Sequence, residues 1–205
     1  MRELLCSRAI REYQVRGKYD KNTELNAVLT YYDDDSIVNR EGSLTMHPVK
    51  KYEDGEVYKL SVADERKIRD FLGDDRLNIY FYVTDDKIYR LWSYVCQDEK
   101  VIRFYNDDEL FVKYLDTDEK LINNGELVCC TENVDDELTE ETGEIDVVMT
   151  RQNDRVIYSR TELREDGSLH YYESFVWEKG KGLVECMSRF GEMSDILYME
   201  NISRK

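Results

Sequence analysis

His47 and His170 are the two imidazoles of a 205-residue chain, and they limit the acid–base and nucleophilic chemistry on offer. They lie far apart, and neither belongs to the H-E-x-x-H arrangement that sets two ligands and a base on one helix face. No G-x-S-x-G elbow is present to expose a serine at a strand–helix turn. A Ser-His-Asp or Cys-His site assembled from distant residues stays open. His170, however, falls on a predicted strand among tyrosines, where a structural or surface role is the simpler reading. Carboxylates are plentiful at Asp33-Asp34-Asp35, Asp107-Asp108-Glu109 and Asp116-Thr117-Asp118-Glu119. None fits the D-x-[DN]-x-[DN]-G loop that wraps calcium. Consecutive carboxylates on a strand point to opposite faces and do not converge on one ion. They read as solvated turns, with a weak cation site at Asp33 to Asp35 left open, and no metal or cofactor is expected.

Thiols offer little more. Cys6, Cys96, Cys129, Cys130 and Cys186 are odd in number, and adjacent Cys129-Cys130 would pair poorly with each other. There is no C-x-x-C to signal zinc or a thioredoxin-like site. Buried, inert thiols in a reducing compartment fit best. Gly180-Lys181-Gly182 is the nearest thing to a phosphate loop. Such a loop must feed a helix whose amides face the anion, whereas Leu183-Val184-Glu185-Cys186 is β-like. The segment Glu178 to Gly182 therefore reads as a hairpin turn with a bulge at one glycine.

Aromatic residues carry the best functional thread. Tyr80 and Tyr82 share the more polar face of one predicted strand, Tyr89 and Trp92 follow on the next, and Tyr171 and Trp177 come later, with Tyr172 beside them. Rings lining a barrel could hold an apolar or planar ligand that tyrosine hydroxyls orient. The competing arrangement is a barrel that the rings simply fill or cover, as small barrels usually are.

The elements that must position these rings are strands. In Leu77 to Thr84, Leu77, Ile79, Phe81 and Val83 alternate with Asn78, Tyr80, Tyr82 and Thr84, the period of a half-buried strand. Asp85-Asp86 then turns the chain into Lys87 to Cys96 as an antiparallel partner. Further strands are predicted at Val101–Tyr105, Leu110–Leu115, Leu127–Cys130, Ile145–Thr150, Val156–Thr161, Leu169–Trp177, Leu183–Phe190 and Ile196–Ile202. Weaker signals lie at Tyr13–Tyr19, Leu25–Tyr32 and Leu44–His47. Asp54-Gly55, Asn124-Gly125 and Asp166-Gly167 are turn dipeptides that tolerate positive φ. Ser61 to Asp64 has the look of a helix cap, with Ile68, Phe71 and Leu72 at helical spacing and Gly73 at the stop. A short helix is predicted over Val62–Leu72, and a second over Leu4–Tyr13.

Many short strands without βαβ alternation predict a mainly β chain: one antiparallel meander that closes into a barrel, with a sandwich as the alternative. The length suits a single domain, 1–205. Thr131 to Asp146 holds eight acids and no base, which predicts an exposed, mobile loop.

Forty-five acidic against 29 basic residues give a net charge of −16. Such a surface repels nucleic-acid phosphates and anionic membranes. It leaves a cation or a basic protein surface as the charged partner. With no apolar run of signal or spanning length, the chain as written reads as cytoplasmic, with export or lipid anchoring as the alternative for a trimmed N-terminus.

The stretch Phe175 to Gly191, "FVWEKGKGLVECMSRFG", resembles the C-terminal segments of uncharacterised β-rich bacterial proteins, some of them lipoproteins. In those proteins an aromatic strand, a Gly-x-Gly turn and an L-V-[EK] strand close a curved sheet. The likeness covers about the last 35 residues well and the chain from Leu77 loosely. Gly17-Lys18-Tyr19 is similar to the Gly-x-aromatic opening of lipocalin-like barrels. No lipobox precedes a cysteine here. The resemblance implies a curved sheet and brings no reaction or catalytic residue with it. Three functions follow as expectations: a non-catalytic barrel that binds a ligand or partner, an acidic immunity-type inhibitor of a basic toxin or nuclease, and an enzyme with an unrecognised site.

Overall fold

The structure is a computed structural model that describes residues 23–33, 36–62, 78–92, 94–97, 100–103, 125–130, 138–141, 145–190 and 196–204. Its elements are all strands: β1 (Thr23–Asp33), β2 (Ser36–Lys51), β3 (Gly55–Val62), β4 (Asn78–Thr84), β5 (Lys87–Leu91), β6 (Tyr94–Gln97), β7 (Lys100–Arg103), β8 (Glu126–Cys130), β9 (Leu138–Glu141), β10 (Ile145–Gln152), β11 (Arg155–Leu163), β12 (Leu169–Glu178), β13 (Gly182–Phe190) and β14 (Ile196–Arg204). Twelve of them form one antiparallel sheet in the order β8-β5-β4-β3-β2-β1-β14-β13-β12-β11-β10-β9, and β6 pairs with β7 apart from it. The sheet curls into a nearly closed barrel, as the strand pattern predicts.

Alternation explains the curl. On β12 the residues Tyr171, Glu173, Phe175 and Trp177 are buried, and those between them are only partly so. On β4 the residues Ile79, Phe81 and Val83 join the same core as Leu29, Leu44, Tyr58, Tyr158, Cys186 and Met199. One face of every long strand thus points into a common interior. Phe81 meets Phe175 and Trp177 edge-on at ring separations of 5.2 Å, and Tyr158 stacks on Phe175 at 5.8 Å. Gly42 makes room on β2, since a Cβ there would meet Leu29 Cδ1 at 2.2 Å.

Several expectations change. Ser61 and Val62 end β3 instead of starting a helix, because Val62 pairs with Leu44 and extends the inward series of Tyr58 and Leu60. The rest of that predicted helix lies outside the described residues, as do the predicted helix at 4–13 and the strands at 13–19 and 110–115. The predicted strand Lys87–Cys96 is two strands, β5 and β6, in different sheets. Within the acidic stretch expected to be a loop, Leu138–Glu141 forms β9 and pairs with β10 through Asp146 to Met149. The backbone ladder is indifferent to side-chain charge, and an acidic edge strand discourages pairing with other chains. Asp54-Gly55 is a turn, but its glycine serves a close approach: a Cβ at Gly55 would lie 2.5 Å from Tyr82 Cε2.

Gly180-Lys181-Gly182 joins β12 to β13 as a hairpin turn, with Gly180 at φ +78° and Gly182 at φ +90°. The register shift that follows leaves Val184 as the extra residue, so the bulge is at a valine and not at a glycine. Lys181 Nζ lies 2.5 Å from Glu178 Oε1, well exposed to water. Gly180→Ala should cost ~1 kcal/mol through left-handed strain alone, since no atom lies within 4 Å of the added carbon. Lys181→Ala should change stability by less than about 0.5 kcal/mol. Urea unfolding midpoints of the two variants check the ranking.

Candidate functional site

Charge inside the barrel marks the candidate site. Arg90 on β5 and Glu173 on β12 are 3% and 1% exposed. Arg90 Nε donates to both carboxylate oxygens of Glu173, at 3.2 and 3.3 Å, and Nη1 donates to the Leu91 carbonyl. Alternation places them: Arg90 is in phase with Ile88 and Glu173 with Tyr171 and Phe175. The Tyr171 hydroxyl and Ser188 complete the pair's polar surroundings, with Tyr171 bonded to Glu173 and to Ser188. Burial raises the Glu173 carboxyl above the ordinary glutamate range, against the pull of Arg90 and Tyr171. Burial alone would lower the Arg90 guanidinium, but Glu173 beside it holds the group above its usual range.

A second arginine stands one strand away. Arg160 on β11, the register partner of Glu173, bonds Glu126 of β8 at 2.6 Å and Glu162 at 2.7 Å. Trp92 lies between the two cations, with Arg90 Cζ 4.7 Å and Arg160 Cζ 5.4 Å from its ring. Tyr171 meets the same indole at 5.8 Å and 62°. Two guanidiniums, three carboxylates and two aromatic rings therefore gather at one level of the barrel. Arg151 of β10 donates from Nη2 to the Cys130 carbonyl of β8 at 2.9 Å. Together with Arg160–Glu126, this joins β8 to strands with which it shares no ladder.

The six aromatic candidates do not line one interior. Trp177 is fully buried in the core against Phe81, and Tyr171 and Trp92 belong to the charged level just described. Tyr80, Tyr82 and Tyr89 sit on the opposite face of β4 and β5, because they alternate with the inward Phe81, Val83, Ile88 and Arg90. That corrects the expectation of a single aromatic-lined lumen. Their face is covered too: Tyr80 is 0% exposed, with Lys59 Nζ 5.6 Å above its ring. Tyr82 stacks on Tyr89 at 6.2 Å and donates its hydroxyl to Asp54 Oδ1 at 2.7 Å. Burial, and then Asp54, push the Tyr82 phenol well above the usual range. Tyr172 points to the outside of β12.

The remaining candidates stay separate. His170 is exposed on β12 and His47 lies on β2, four places away in the sheet order. Cys129, Cys130 and Cys186 are buried thiols, none of them in a disulfide. Burial holds the Cys129 and Cys186 thiols well above the usual thiol range, and Glu173 adds to the effect at Cys186. Asp33 ends β1, while the other acidic clusters, Cys6 and the side chain of Cys96 lie outside the described residues. Among the described residues no three metal-ligating side chains are grouped to hold an ion.

Arg90, Glu173, Arg160 and Glu126 were not singled out by their sequence. The signal was there for Glu173, which is an acid in phase with three aromatics on one strand face. Comparison with known protein families, curated proteins and solved structures finds no match to this chain.

Removing one member of a buried pair leaves the other charge without its counterpart. Arg90→Met or Glu173→Leu alone should cost about 3–5 kcal/mol, and the double variant should recover most of that loss. Urea unfolding of the set provides the check. The folded state holds the Glu173 proton more tightly than the unfolded chain does. This carboxyl's contribution to stability is therefore full below the ordinary value of 4.5 and lost as pH rises through its higher folded value. Carbon-13 NMR of the Glu173 carboxyl should show it titrating above the ordinary value of 4.5.

Proposed function

We propose that this chain is a non-catalytic β-barrel that acts by binding another macromolecule through its outer surface. The observation that carries the reading is the filled interior. Phe81, Tyr158, Phe175 and Trp177 pack ring against ring across one level of the barrel. The next level is taken by the Arg90–Glu173 pair with its own partners. Rings packed edge to face and a charge pair that bonds internally favour a scaffold over a carrier with an open lumen.

The same contacts weigh against chemistry at this site. Glu173 has both oxygens on Arg90 and accepts from Tyr171. A general base must reach a substrate proton, and a nucleophilic thiol needs a lowered pKa, whereas burial shifts Cys129 and Cys186 the other way. The charge of −16 favours a basic partner, the kind an inhibitor of a basic toxin or nuclease would meet. One observation favours a second reading, a planar ligand held at the charged end: Trp92 is only partly buried where it meets Tyr171 and Arg160.

Native mass spectrometry of the protein purified under gentle conditions tests the first reading. The expected spectrum shows the bare chain, or the chain with a protein partner that high salt removes. A stoichiometric small molecule, displaced by Trp92→Ala, would favour the second reading. Substrate turnover abolished by Glu173→Gln in a folded variant would make the chain an enzyme.

A further inference from the structure

The outside of the sheet is not uniformly charged. One register row runs outward across six neighbouring strands, from Val148 through Ser159, Ser174, Met187 and Tyr198 to Thr30. Each of these side chains is partly exposed, and each alternates with a buried neighbour. The row carries no charge in a chain where 36% of residues are charged. Beside it on β11 and β12 the pair Ile157–Val176 widens the apolar part.

At the β14–β1–β2 end the surface changes character. Glu200, Glu41 and Glu24 face outward there. The Tyr198 hydroxyl lies 3.4 Å from Glu200 and 3.3 Å from Glu185, which holds two carboxylates at the end of the uncharged row. Burial, followed by these two carboxylates, pushes the Tyr198 phenol up to about 12. Arg155 neutralises part of Glu185 from the far side, at 3.3 Å.

We infer that this face docks a basic polypeptide. Its apolar residues would cover Met187, Val176 and Ile157, and its lysines or arginines would meet Glu200 and Glu41. Charge complementarity decides the occupant. A second copy would bring like-charged carboxylates together, whereas a cationic chain is steered in by the −16 field and then finds an uncharged centre that costs little to desolvate. An uncharged centre with polar and charged residues at its edge is also the usual arrangement of a protein-binding patch. The inference rests on the outer-surface reading and adds the face and the partner's chemistry.

The test uses the full chain and two short synthetic peptides, one alternating lysine with valine and the other alternating glutamate with valine. Affinities are read by fluorescence anisotropy at low and high ionic strength. The lysine peptide should bind and the glutamate peptide should not. Glu200→Lys and Met187→Lys should each weaken binding at least about tenfold. Glu165→Lys, the same charge change on the exposed β11–β12 turn, should have little effect. Unfolding midpoints confirm that each variant is folded, and Glu41→Lys replaces any that is not. Equal losses at Glu165 and Glu200 would reduce the effect to bulk charge and overturn the inference. So would binding of both peptides, or no binding of either. Self-association abolished by Met187→Lys, seen by sedimentation, would assign the face to a second copy instead. None of these outcomes touches the outer-surface reading, which native mass spectrometry tests separately.

Discussion

Arg90 and Glu173 lie 83 residues apart in sequence and seven places apart in the sheet order, yet they bond inside the barrel. No ladder could bring them together, so the pair exists only because the sheet has curled until β5 faces β12. The dependence runs the other way as well. Once both charges are out of water, each is tolerable only beside the other, so the curl that joins them is strongly preferred over a flatter sheet. Arg160–Glu126 and the Arg151 bond to the Cys130 carbonyl act in the same sense at the β8 edge. Arg151 also takes up a backbone carbonyl of β8, a strand at the end of the sheet order.

The aromatic core fits around this constraint. Phe81 projects between Phe175 and Trp177, so one ring from the β3–β5 side fills the space between two from the β11–β13 side. Trp92 then spreads over both guanidiniums, a favourable place for an indole because its negative face meets the cations. Hydrophobic filling and charge pairing thus hold the same two halves together at adjacent levels. That arrangement favours function on the outside, where the uncharged row and its glutamate rim lie.

How much was legible depends on the strand. Residues on β4 and β12 alternate strictly, and both strands could be read almost to the residue. β3, with the sequence Gly55-Glu56-Val57-Tyr58-Lys59-Leu60-Ser61-Val62, was missed because its lysine and glutamate broke the apolar pattern. Lys59 is nonetheless 7% exposed, its ammonium over the Tyr80 ring. The split at Trp92 was hidden because Lys87 to Cys96 reads as one continuous strand, and nothing local says where its backbone partner changes. Alternation alone already put Tyr80 and Tyr82 on the face opposite Phe81, but it did not reveal the cover that buries them there.

The sequence by itself determined the class of structure and the location of its turns, because both depend on neighbours a few residues apart. Period-two alternation makes strands, and glycine at Gly180 and Gly167 permits the left-handed backbone of a tight turn. Its acidic excess determined the sign of the protein's net charge. Only the tertiary structure decided that Glu173 would sit on Arg90, that Trp92 would lie between Arg90 and Arg160, and that six strands would line up an uncharged outer row. Those pairings are set by strand order and register across the closed sheet, and register joins residues by space, which local sequence patterns do not encode.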